Sequence, residues 1–133
     1  LLRESRARYL RRTPTLPRVL LVEDDVLARR AALRALAGQA ELTVVASGEE
    51  ALARFRPAAF DLVVAQQRMV AMTGLELLEQ IRVRDPRVRR VLLAAADLPG
   101  MLGYLASGLI DLRLTEVREL GASLPALIVP KPS

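Results

Sequence analysis

Apolar positions along the chain fall into two kinds of run, and the two kinds alternate. The first kind is short and unbroken: RVLLVE (Arg18–Glu23), ELTVVAS, FDLVVA and VRRVLLAAA. These runs show no helical period and are bounded by proline, glycine or acidic residues, which predicts buried strands. The second kind is periodic. In DVLARRAALRALAG the apolar residues Val26, Leu27, Ala31, Leu33 and Leu36 recur at helical spacing, and Gly38 supplies a stop. GEEALARF predicts a short helix with Glu49 and Glu50 in its first turn, where the helix dipole favours acids. TGLELLEQIRVRD predicts a third helix ending ahead of Pro86, since a proline pushes the residue before it out of the helical region. LPGMLGYLASG predicts a weaker fourth helix, loosened by Gly100 and Gly103 and closed by Gly108, and LIDLRLT a fifth strand. The apolar stretch LPALIV near the end is expected to be buried, within the domain or in a dimer.

Strands that are apolar throughout need cover on both faces, which is the mark of a parallel sheet. Alternation with helices predicts an α/β fold, a doubly wound five-stranded parallel sheet with helices on both faces. The functional edge of such a sheet lies at the carboxyl ends of its strands. The chain contains no internal repeat and no low-complexity tract.

Composition narrows the chemistry. The 133 residues suffice for one domain with one core, and at 3% aromatics that core must be built from Leu, Val, Ala and Ile. There is no cysteine, hence no disulfide, thiolate nucleophile or cysteine metal site. There is no histidine either, which removes the commonest general base and the commonest metal ligand. No apolar run approaches a membrane span and nothing resembles a signal peptide, so a soluble, cytoplasmic protein is expected. The chain starts at Leu1 and not at Met, which suggests a piece of something larger. The net charge of +5 is carried by Arg3, Arg6, Arg8, Arg11, Arg12 and Arg18 against Glu4, leaving the remainder neutral. Residues 1–17 are therefore a basic arm or linker helix. Nucleic-acid contact through that arm is an alternative function, but the domain itself has no basic stripe and no aromatic platform.

At the expected functional edge stand Glu23, Asp24 and Asp25 after the first strand, and Gln66 and Gln67 after the third. Acids at a helix start complement its dipole, which accounts for Asp25 but not for Glu23, still part of the strand. A hard-cation site is the competing reading, because Mg²⁺ takes one or two carboxylates and several waters.

VLLVEDDVLARRAALRAL, SGEEALARF and FDLVVAQQRMVAMTGLELLEQIR resemble the receiver domain of bacterial response regulators, a flavodoxin-like fold of two-component signalling. The likeness covers Arg18 to about Thr115 and is strongest around Met69, Met72 and Gly74. It implies that the acid pair, Glu23 and Asp24, corresponds to the family's Mg²⁺ ligands. It places the phosphoacceptor aspartate on Gln66, the Thr or Ser ending strand four on Ala94, and the usual loop proline on Val70. The lysine ending strand five admits two alignments. One puts it on Glu116, with the aromatic switch residue on Arg113. The other retains it as Lys131, in a Lys131–Pro132 step, but needs a long insertion and leaves no room for a last helix; the first is preferred.

The resemblance with these departures implies a pseudo-receiver: residues 18–116 the domain, and 117–133 a short last helix and apolar tail. Without an anionic oxygen at position 66, phosphoryl transfer is not expected. Mg²⁺ should bind weakly or not at all at Glu23 and Asp24, with no other cofactor and no catalytic residue. The expected role is phosphorylation-independent signalling within a larger two-component regulatory protein, through a protein partner or self-association such as a homodimer. The alternative is a small-molecule sensor using the former phosphate pocket.

Overall fold

A computed structural model describes residues 16–128. The basic arm, apart from Leu16 and Pro17, and the Lys131–Pro132 step lie outside the described residues. The elements are β1 (Arg18–Val22), α1 (Val26–Ala35), β2 (Glu41–Val45), α2 (Gly48–Arg54), β3 (Leu62–Gln66), α3 (Gly74–Arg84), β4 (Arg89–Leu93), α4 (Met101–Ala106), β5 (Leu112–Leu114), a 3-10 turn (Val117–Glu119) and α5 (Leu120–Leu127). The strands form one sheet in the order β2-β1-β3-β4-β5, every neighbouring pair parallel. The expected doubly wound α/β sheet is the fold.

Alternation along each strand builds two cores. Val19, Leu21, Leu62, Val64, Val91 and Leu93 face α1 and α5, and meet Ala32 and Leu36 from the first and Leu120, Leu124 and Leu127 from the second. Leu20, Val22, Val63, Ala65, Leu92 and Ala94 face the other way, onto Ala51 of α2, Leu77, Leu78 and Ile81 of α3, and Met101 of α4. Burying apolar surface on both faces is what makes these strands uniformly hydrophobic. Of the stretch expected to be buried, Leu124 and Leu127 are buried within the domain, while Ile128 stays 43% exposed.

Helix starts are set by side chains that satisfy orphan N–H groups. Asp25 Oδ2 accepts from Ala28 N at 2.8 Å, and Ser47 caps α2 through Glu50 N at 3.1 Å. Thr73 and Glu76 form a reciprocal capping box at α3. Two predicted elements are shorter than their sequence windows: β5 keeps three residues, and α4 starts only after Gly100, whose φ of 82° lies in the left-handed region.

One core position was not foreseen. Arg90 on β4 is 1% exposed, and its guanidinium donates to the carbonyls of Leu109 and Val88 at 2.8 Å each. The same group reaches the carbonyls of Gly108 at 2.8 Å and Pro86 at 3.4 Å, so it ties both chain segments that flank β4 and β5. A buried charge is tolerated when its donors are used in this way.

Candidate functional site

The carboxyl ends of β1, β3 and β4 open onto a cleft of about 300 Å³ between α1 and the 3-10 turn. Glu23, Gln66 and Glu116 line it together with Leu21, Leu93 and Val117. Strand parity explains the meeting: Glu23 continues the Val19–Leu21 face of β1, and Gln66 the Leu62–Val64 face of β3. Asp24, Ala94 and Arg113, the other positions singled out in the sequence, do not line this cleft.

Glu23 follows the last residue of β1, but its N–H still donates to Val45 O at 3.0 Å, which prolongs the ladder and holds the side chain inside. The residue is 6% exposed and its Oε2 has no hydrogen-bond partner. Burial pushes the carboxyl above its usual range, and the adjacent Asp24 charge adds to this; N–H groups of Asp24 and Asp25 act in the opposite sense. Asp24 is exposed, and Asp25 spends its carboxylate on the N-terminus of α1. The neighbouring cation does not answer Glu23's charge, because Arg29 Nη1 donates to the backbone oxygen of Glu23 at 2.9 Å.

These acids do not fit a divalent cation. Among the described residues no group of three or more acidic side chains is placed to hold a metal ion. Mg²⁺ demands near-octahedral oxygen ligation, whereas the three acids here diverge into the interior, the solvent and a helix cap.

The two glutamines behave differently. Among the described residues, Gln66 Oε1 accepts only from the N–H of Gln67, at 3.2 Å. Gln67 is the one that ties the loop: its Oε1 accepts from Leu75 N at 2.9 Å, and its carbonyl from Gly74 N at 3.1 Å. Strand alternation turns Gln67, not Gln66, toward α3. Gly74 is needed at this junction, since a Cβ there would sit 2.7 Å from Gln66 O and 2.8 Å from Leu92 Cδ1.

Ala94 is 4% exposed, packs with Ala65 and Met101, and donates its N–H to Leu114 O at 2.9 Å. Arg113 lies on β5 with one Nη2 3.4 Å from Asp97 Oδ1, and its Nε is buried without a partner. Glu116 stands at the start of the 3-10 turn, exposed and ion-paired with Arg118. Glu119 Oε1 fixes that turn by accepting from Thr115 N at 3.0 Å and Glu116 N at 2.7 Å. β5 ends at Leu114, and Thr115 and Glu116 lead from it into the 3-10 turn.

Comparison with known proteins agrees with this architecture. The profile of the response regulator receiver domain matches residues 19–112. The transcriptional regulatory protein ZraR of Salmonella typhimurium is 31% identical over 126 residues, spanning 81% of this chain and 29% of ZraR. The aerobic respiration control sensor protein ArcB of Escherichia coli is 31% identical over 118 residues, 82% of this chain and 14% of ArcB. The chain thus spans less than a third of the length of these curated relatives. Among solved structures, the non-phosphorylated HemR receiver domain of Leptospira biflexa superposes with a TM-score of 0.75 at 28% identity, covering 88% of this chain and 98% of that one. An adenylate cyclase structure from Rhodopirellula baltica gives a TM-score of 0.75 at 27% identity, covering 86% of this chain and 88% of that one. No described helix is long and apolar enough to cross a membrane. On its profile match, its relatives and its parallel sheet, the chain belongs to the response-regulator receiver family of two-component signalling.

Proposed function

We propose that this receiver signals through contact with a protein partner, or with a second copy of itself, without being phosphorylated. The observation that carries the reading is the side chain at the carboxyl end of β3. Gln66 presents a neutral amide there, bonded to the N–H of Gln67 at 3.2 Å. Phosphoryl transfer needs an anionic oxygen nucleophile, a shared divalent ion, and cations for the equatorial oxygens. A carboxamide oxygen is a weak nucleophile, and its phosphoryl adduct would not persist. Ala94 offers a methyl where the family resemblance places a hydroxyl, Glu116 an acid where it places a lysine, and Arg113 a guanidinium where it places an aromatic switch residue. Mg²⁺ at Glu23 and Asp24 is weak or absent.

In this reading residues 18–116 are a pseudo-receiver body closed by a helix within 117–133, and 1–17 an arm joining it to a larger regulatory protein in the cytoplasm. The domain has no catalytic role. Its output is a surface that stays in one state, so partner affinity is independent of phosphodonor. The test is incubation with Mg²⁺ and acetyl phosphate followed by intact-mass measurement. The expected mass is unchanged, and a stable gain of one phosphoryl group overturns the proposal.

A further inference from the structure

We propose that the cleft between α1 and the 3-10 turn binds a small organic cation, an ammonium or amidinium joined to a short apolar body. The cleft holds about 300 Å³, enough for a fragment-sized ligand. Its floor and sides are apolar, formed by Leu21, Leu93, Ala28, Ala31 and Val117. Its polar groups gather where Glu23 and Gln66 stand. Glu23 is more than nine-tenths enclosed, with Oε2 unpartnered. Backbone N–H groups of Asp24 and Asp25 act on this carboxyl, but a buried carboxylate oxygen left unpartnered is costly, and it leaves a demand for a further donor.

The protein's own cations do not meet that demand. Arg29 is bonded to the Glu23 carbonyl, and Arg118 is paired with Glu116 at the rim. The charged side chains that act on the Glu23 carboxyl are the acids Asp24 and Asp25, next to it along the chain. Charge complementarity therefore selects a cation over a neutral or anionic ligand. A divalent metal is not matched by these acids, because Glu23 turns inward, Asp24 to solvent and Asp25 to the cap of α1. A monovalent ammonium needs no octahedral cage; it needs hydrogen-bond acceptors at one end and apolar walls for its carbon body. Glu23 and the Thr115 hydroxyl supply acceptors, and the alanine face of α1 supplies the walls. This inference goes beyond partner binding and does not depend on it.

The test uses the whole chain, with backbone amide NMR titrations of n-hexylamine, 1-hexanol, hexanoate and MgCl₂ at low ionic strength. Hexylamine is expected to shift the amides of Ala28, Leu93 and Val117, and to bind about tenfold tighter than hexanol, the factor for one charged hydrogen bond. Hexanoate should not bind. Glu23→Gln should retain weak hexanol binding and lose the preference for the amine. Ala31→Leu, a change on an exposed helix face that fills the cleft, should lose both ligands while its spectrum stays that of a folded chain. Equal affinity for amine and alcohol, an amine preference surviving in Glu23→Gln, or shifts confined to other surfaces would overturn the proposal. So would Mg²⁺ shifting the same amides while hexylamine shifts none.

Discussion

Glu23 works against the stability of the fold in which it sits. Its carboxyl is raised above the usual range by burial first and by Asp24 second, so the folded state holds that proton more tightly than the unfolded chain. The sign follows. The stabilising contribution is fully present below the unfolded pKa and is lost as pH rises through the raised folded value. Once ionised, the group is therefore a liability, and Glu23→Gln should raise Tm by a few degrees above the raised folded pKa. That gain should shrink as pH is lowered toward the carboxylate range, which thermal melts across pH will read. An unchanged difference at acid pH would show that packing, not charge, sets the effect. Arg90 is the opposite case, a buried charge whose three guanidinium nitrogens each donate to a carbonyl. Arg90→Met keeps the stem and strips those carbonyls of their donors, at a cost of about 3 kcal/mol in urea unfolding. A loss under about 1 kcal/mol would mean that water replaces the guanidinium without penalty.

At the scale of elements, the strand ends are where sequence and packing meet most tightly. Arg18 starts β1 and Asp61 leads into β3: Asp61 N–H donates to Arg18 O at 2.8 Å, Arg18 N–H donates to Asp61 Oδ2 at 2.7 Å, and the side chains pair at 3.2 Å. Burial pushes Asp61 up, but its bonds from Arg18 outweigh this and hold the carboxyl below its usual range. Its contribution is thus present above the unfolded pKa and lost as pH falls through the lowered folded value. Asp61→Asn should lower Tm at neutral pH, and the deficit should close in acid, a trend opposite to that of Glu23→Gln. The β3–α3 junction is steric. Gly74→Ala should cost about 1–3 kcal/mol by overpacking against Gln66 O and Leu92, measured by denaturant midpoint. The order of elements could be read in advance because apolar runs and helical periods alternate without ambiguity. Glu23, Gln66 and Glu116 could be placed at one edge because strand ends converge there. Arg90 could not, since the arginines opening the VRRVLLAAA strand carry no sign of burial until the carbonyls that surround Arg90 are in space. Nor could the division of labour between Gln66 and Gln67, which depends on strand parity at a loop. The cleft itself needed the 3-10 turn to fold back over α1, a tertiary event with no local signature.

For the molecule as a whole, what matters is that the three departures on which the proposed reading rests lie at the ends of three different strands. Gln66 ends β3, Ala94 follows β4, and Glu116 follows β5, so one substitution cannot be expected to repair a site assembled by the entire sheet. Nucleophile, hydroxyl and cation act on the same phosphoryl group, and groups that act as a unit are strongly non-additive. Gln66→Asp alone would place a carboxylate beside Glu23 and Asp24, adding a third negative charge to that edge. Its expected first effect is a lower Tm, relieved by millimolar Mg²⁺, with little gain in phosphoryl acceptance. The triple change Gln66→Asp, Ala94→Thr, Glu116→Lys supplies nucleophile, hydroxyl and cation together, and should take up one phosphoryl group from acetyl phosphate. Intact-mass time courses on the two variants side by side decide the matter. Efficient labelling of Gln66→Asp by itself would show that Ala94 and Glu116 impose no barrier, and that the identity of one strand-end residue controls the state of the whole domain.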